Sequence, residues 1–164
     1  MASVVVADTG PLIAFAYLDL YALFPRVLGE VLVPEAVMKE LHIDSDRPDV
    51  VCIQTALKRQ WLRVKEMALP VENDFPLSLG PGEQAAVQLA SEMKCPVLMD
   101  DKLARRFATA QGLIVIGTAG VLLKAKQMGE LAEVIPLLRH LQVKGYYFSP
   151  ALMERVGRIA GEEL

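Results

Sequence analysis

Apolar positions along the chain fall into two alternating patterns. Short runs rich in β-branched residues occur at Ser3–Ala7, Glu30–Val33, Leu62–Lys65, Pro96–Met99 and Leu113–Ile116. The unbroken ones are what strands buried on both faces of a parallel sheet require. Between them lie segments of helical period: Leu12–Phe24, a helix opened by Pro34 that carries Val37, Glu40 and Leu41, Asp46–Gln60, Gly82–Lys94, Leu103–Gln111, Ala119–Met128, Leu131–Leu141 and Pro150–Ala160. Pro11 suits a first helical turn. Asp46 is an expected N-cap with Pro48 just behind it. Gly82–Lys94 has the clearest stripe, with Ala86, Leu89, Ala90 and Met93 on one face. Strands alternating with helices predict a three-layer α/β fold: a parallel sheet of about five strands with helices on both faces. The connection from Leu69 to Pro81 is long for such a domain, a property often associated with function.

The 164 residues are 53% hydrophobic and 23% charged, which excludes an intrinsically disordered chain. A chain of this size buries about 70% of its unfolded surface, so one domain over residues 1–164 is expected. Residues from about 130 to 164 then form a C-terminal helical cover. Cys52 and Cys95 are too few for a disulfide framework and are not spaced as a zinc site; they read as two small buried hydrophobes. No apolar run reaches the ~20 residues that span a bilayer, and no basic segment precedes Asp8. A cytoplasmic protein without membrane attachment is therefore expected. The balance of 17 bases to 20 acids, a net charge of −3, speaks against an indiscriminate grip on nucleic acid.

Three acids occupy unusual places. Asp8 directly follows the first apolar run, and Asp100 and Asp101 directly follow the fourth. Ligands of open parallel sheets bind beyond the carboxyl ends of strands, where strand order reverses. If strands one and four are neighbours there, these carboxylates share a crevice, and a hard divalent cation is the natural counter-charge. The competing explanation is local: Asp8 caps the following helix, and Asp100 or Asp101 caps the one starting near Lys102. Glu40, one turn from Ala36, and Glu83, in the first turn after Gly80-Pro81-Gly82, complete the candidate set. Helix-dipole complementation alone would account for Glu83.

In this order the segments resemble a PIN domain, the metal-dependent nuclease fold of VapC-type toxins and related ribonucleases. The resemblance runs through Val4–Ile13, Val33–Leu41, Leu79–Ala86 and Val97–Lys102. The run Asp100–Arg106 followed by Ile116–Leu122 is similar to the DUF3368 subgroup. The resemblance implies sheet order 3-2-1-4-5, which sets strands one and four side by side. It further implies Asp8, Glu40, Glu83 and Asp101 as catalytic acids binding one or two Mg²⁺ or Mn²⁺ ions. Asp101 matches the family acid best, and Asp100 is the alternative or additional ligand. The expected activity is endoribonucleolytic hydrolysis of RNA, as the toxin of a toxin–antitoxin pair with a small antitoxin encoded nearby. A homodimer is the expected assembly, although the apolar stretch Tyr146, Tyr147, Phe148 and Leu152 suits burial within one chain.

Substrate contacts are expected from Lys102, Arg105 and Arg106, with Thr9 and Thr118 bonding the acids, a phosphate or a turn. From Lys102 to Lys126 the chain has five bases and no acid, and with five acids assigned to a crevice the bases outnumber the remaining acids by two. Net charge is thus compatible with a polyanionic substrate. Asp8-Thr9-Gly10 also matches an aspartic-protease signature, but that class needs two such loops on a β-rich fold or a homodimer. A haloacid-dehalogenase-like phosphatase needs a second acid where Gly10 stands. A non-catalytic PIN-like module that binds RNA or protein remains the main alternative.

Overall fold

A computed structural model describes residues 3–43, 47–67 and 75–164. The chain runs β1 (Val4–Ala7), α1 (Thr9–Leu18), a 3₁₀ turn (Tyr21–Leu23), α2 (Phe24–Val27), β2 (Glu30–Pro34), α3 (Glu35–Glu40), α4 (Pro48–Lys58), β3 (Arg63–Lys65), α5 (Pro81–Met93), β4 (Val97–Leu98), α6 (Lys102–Ala110), β5 (Val115–Ile116), α7 (Thr118–Gln127), α8 (Ile135–Val143) and α9 (Pro150–Ala160). The five strands form one sheet in the order β3-β2-β1-β4-β5. Every pairing is parallel, with Val6 opposite both Leu32 and Val97. This is the order and layering expected above.

Alternation of side chains along a strand divides the core in two. Val5 and Ala7 of β1, Val31 and Val33 of β2, and Leu98 of β4 join Leu12, Phe15, Phe24, Ile53 and Leu122 on one face. Val6, Leu32, Val97 and Met99 face the other way, against Leu89 and Ala90 of α5 and Ala104 and Ala108 of α6. Burial of the central strands on both sides explains why their sequences are unbroken apolar runs. Among the described residues no helix is long and apolar enough to cross a membrane.

Several element limits differ from the sequence reading. The segment Leu12–Phe24 is not one helix: Asp19 turns left-handed at φ 51° and ends α1, and a 3₁₀ turn leads into α2. Buried Tyr21 donates its hydroxyl to the Leu12 carbonyl, fixing that break. Pro34 is both the last residue of β2 and, with its extended ψ of 149°, the cap position of α3, so the helix it opens begins at Glu35. Asp46 lies outside the described residues, and Arg47 holds the cap position of α4. The α5 stripe stops one turn early: Met93 is 42% exposed, the last residue before left-handed Lys94 ends the helix. The segment Leu131–Leu141 is helical only from Ile135, where Pro136 sits in the first turn. Cys52 and Cys95 are half-buried free thiols rather than core residues.

Candidate active site

Parallel pairing of β1 with β4 brings the carboxyl ends of both strands to the same end of the sheet, and the Asp8 N–H donates to the Leu98 carbonyl at 2.9 Å. Asp8 occupies the cap position of α1, but its side chain accepts no capping hydrogen bond. The residue is 4% exposed, and its Oδ1 has no hydrogen-bond partner among the described residues. Burial pushes this carboxyl from its ordinary 3.8 up to about 7. The Thr9 backbone N–H opposes the rise, while the charges of Glu83, Glu40 and Asp100 add to it.

The other acids are anchored. Glu40, the last residue of α3, accepts from Thr9 Oγ1 at 2.6 Å through Oε2 and from the Gly82 N–H at 2.9 Å through Oε1. This bridge ties the segment after β1 to the start of α5. It also explains Gly82: a Cβ there would stand 2.5 Å from Glu40 Oε1. Glu83 Oε2 accepts from the Gly80 N–H at 3.3 Å, satisfying the entry of α5. Burial raises the Glu83 carboxyl, against the Gly80 hydrogen bond, and the charges of Asp101 and Glu40 raise it further.

The doublet divides its work. Asp101 caps α6, its Oδ2 accepting from the Ala104 N–H at 2.9 Å. Asp100 turns inward and holds the start of α7: the Thr118 N–H reaches Oδ1 at 2.8 Å and Thr118 Oγ1 donates to Oδ2 at 2.6 Å. Burial raises the Asp100 carboxyl, against the Thr118 hydrogen bonds and the Arg105 charge. Thr9 and Thr118 therefore both bond acids.

Arg105 donates from Nη1 to the Met99 carbonyl at 3.2 Å, and its guanidinium occupies the space that a Cβ on Gly117 would need. It braces the β4 end, whereas Lys102 and Arg106 are exposed. Two contributors are not evident from sequence: Gly82, through its N–H, and Tyr146, whose hydroxyl donates to the Gly10 carbonyl at 2.8 Å across 136 positions. The Gly80-Pro81-Gly82 run is the one local signal for Gly82; for Tyr146 there is none.

The DUF3368 family model, described as a PIN domain, matches residues 4–162. The chain belongs to the PIN-domain family. Its fold is similar to that of a PilT N-terminus domain protein from the hyperthermophilic archaeon Sulfolobus solfataricus P2. The two are 17% identical, the match covers 72% of this chain and 89% of that one, and the TM-score is 0.54. A domain of a functionally unknown protein from Methanocaldococcus jannaschii DSM 2661 matches at 21% identity over 71% of this chain and 91% of that one, with a TM-score of 0.44. Comparison with curated proteins returned no match.

Chemically, the candidate site is a set of oxygen donors in one electrostatic field. Asp8 feels Glu83, Glu40 and Asp100, and Glu83 feels Asp101 and Glu40. Among the described residues no three acids, cysteines or histidines form a ready-made metal cluster. The orphaned buried Oδ1 of Asp8 nevertheless fits a hard cation, since an all-oxygen, mutually repelling set is what such an ion neutralises.

Proposed function

We propose that this PIN domain is a metal-dependent endoribonuclease hydrolysing phosphodiester bonds in RNA. The observation that carries the reading is Asp8: a carboxylate buried at a strand end, with one oxygen unpartnered and three other acids close enough to raise its pKa. A purely structural acid in that place would be bonded, as Asp101 is, or would face water.

Asp8, Glu40 and Glu83, with Asp100 or Asp101, would hold Mg²⁺ or Mn²⁺. When bound, such an ion supplies Lewis acidity toward phosphate oxygens and lowers the pKa of a water. Thr9 and the Gly82 N–H fix the Glu40 carboxylate in place. Thr118 and Arg105 do the same for Asp100 and the β4 end. Held this way, the acids lose little conformational freedom when substrate arrives. Exposed Lys102 and Arg106 at the start of α6 would meet the substrate phosphates.

The test is cleavage of a labelled single-stranded RNA by the purified chain in Mg²⁺ or Mn²⁺, with single-stranded DNA and EDTA controls. Asp8→Asn should reduce the rate at least about 100-fold without unfolding the chain. Undiminished metal-dependent cleavage by that variant would sink the assignment. A second reading, a PIN domain that binds RNA or protein without cutting, draws on one fact: Asp100, Asp101, Glu40 and Glu83 all hold the fold together through hydrogen bonds of their own. It predicts RNA binding with no turnover in any divalent ion. As a toxin, the protein would be held inactive by a small partner occluding the acidic crevice; co-purification with the product of a neighbouring gene tests that extension. A homodimer is proposed as its assembly, to be read by sedimentation.

A further inference from the structure

A groove of about 1210 Å³ opens beside the acidic crevice. Helix α6 forms one side, α9 and the segment before it form the other, and β5 with the first turn of α7 lies between them. Asp100 and Gly117 line it where β4 and β5 end. Its charged lining is one-sided: Lys102, Arg105, Arg106 and Arg155 against the single acid Asp100.

Aromatic surface interleaves with this charge. Tyr146 is fixed by its hydroxyl on the Gly10 carbonyl, and its ring stacks near Phe148 at 6.5 Å and 19°. Phe148 is buried, so both neighbours of Tyr147 are anchored, while Tyr147 itself is 82% exposed. The backbone on either side of Tyr147 is thus held in place, and its ring is presented to solvent. Arg155 is exposed on α9 and has no ion-pair partner among the described residues.

We propose that this groove is the track of a single-stranded nucleic acid leading to the acidic site, with Arg155 holding a backbone phosphate and Tyr147 stacking on a base. Cationic lining with exposed aromatic faces is the chemistry that holds single strands regardless of sequence. A protein occupant is the poorer fit. The β5 edge is two residues long, too short for a useful ladder with an added strand. The proposal rests on the nuclease reading of the adjacent site but concerns residues outside it.

Binding of a fluorescent 20-mer oligo(U) is measured by anisotropy in EDTA, where no cleavage interferes, from 50 to 300 mM NaCl. Tyr147→Ala should weaken binding about tenfold, and Tyr147→Phe should retain it. Arg155→Glu should weaken binding and reduce the slope of log affinity against log salt by about 0.7 for each phosphate no longer neutralised. Arg139→Glu, an equal charge change on α8 outside the groove, should leave both unchanged. Circular dichroism checks that each variant folds. Equal losses from Arg139→Glu and Arg155→Glu would overturn the track, and so would absence of binding by the unsubstituted chain. Unchanged RNA binding by the Tyr147 and Arg155 variants with loss of self-association would make the groove a copy-to-copy interface instead. Metal-dependent cleavage that needs Asp8 but ignores Tyr147 and Arg155 would remove the track and spare the nuclease. Groove-dependent binding without cleavage would do the reverse.

Discussion

Asp8 and Asp101 are both acids that immediately precede a helix, and their side chains do opposite things. Asp101 accepts from the Ala104 N–H and is explained by its helix. Asp8 is buried with an unpartnered oxygen and a pKa pushed up to about 7. A group whose folded pKa exceeds its unfolded one binds protons on folding, so its ionised form opposes the native state. Below pH ~4 the effect vanishes; as pH rises to about 7 it grows, and above that it is fully present. The raised Asp100 and Glu83 carboxyls act in the same sense. In EDTA the protein should therefore lose stability as pH rises from about 4 to about 7. Asp8→Asn should recover up to about 4 kcal/mol at pH 8 and little at pH 4. Urea unfolding at the two pH values checks this, and a variant no more stable at pH 8 would refute it.

Among the elements, α8 starts without a local side-chain cap. Its cap position is Val134, whose side chain offers no acceptor. Glu162, beyond the end of α9, supplies one: its carboxylate accepts from the Val134 and Ile135 N–H groups and from Lys126 Nζ at 2.9–3.0 Å. Burial pushes the Glu162 carboxyl up, but these hydrogen bonds and the Lys126 charge outweigh it and set it below its ordinary value. Glu162→Ala would leave two helix N–H groups without their acceptor and should cost about 1–3 kcal/mol at pH 7. Because the folded pKa is depressed, that contribution is present above the ordinary carboxylate range and fades as pH falls through the folded value. The gap between variant and parent should thus close in acid, as thermal unfolding at pH 7 and pH 3 would show; a gap independent of pH would contradict the carboxylate's role.

At the scale of the whole molecule, the fold brings together carboxylates that raise one another's pKa, and a bound cation would relieve that repulsion. A divalent ion that binds the folded site alone should stabilise by about 2.7 kcal/mol at a hundred times its dissociation constant. Melting temperature should rise with Mg²⁺ or Mn²⁺ at pH 8 and rise less at pH 5, where protons compete for Asp8. It should respond weakly in Asp8→Asn. A melting temperature indifferent to both ions at pH 8 would count against the metal. Beside the acids, cations on α6 and α9 face the groove, so a chain of net charge −3 still offers a positive surface.

The sequence by itself determined the alternation of strands and helices, because periodicity and burial on two faces are written locally in runs such as Val4-Val5-Val6-Ala7. It also placed Asp8, Asp100 and Asp101 at strand ends, since an acid after an apolar run marks where burial stops. Their joint meaning needed the β1–β4 pairing, which joins segments about 90 residues apart. Only the tertiary structure decided that Asp101 is a cap and Asp8 is not, that Arg105 braces Met99, and that Tyr147 is exposed between two anchored neighbours. Each of those outcomes depends on which partner burial leaves within reach, and for Tyr146 or Glu162 that partner lies 136 or 28 residues away. Local pattern encodes the elements; the chemistry of each acid is set by the neighbours that packing brings to it.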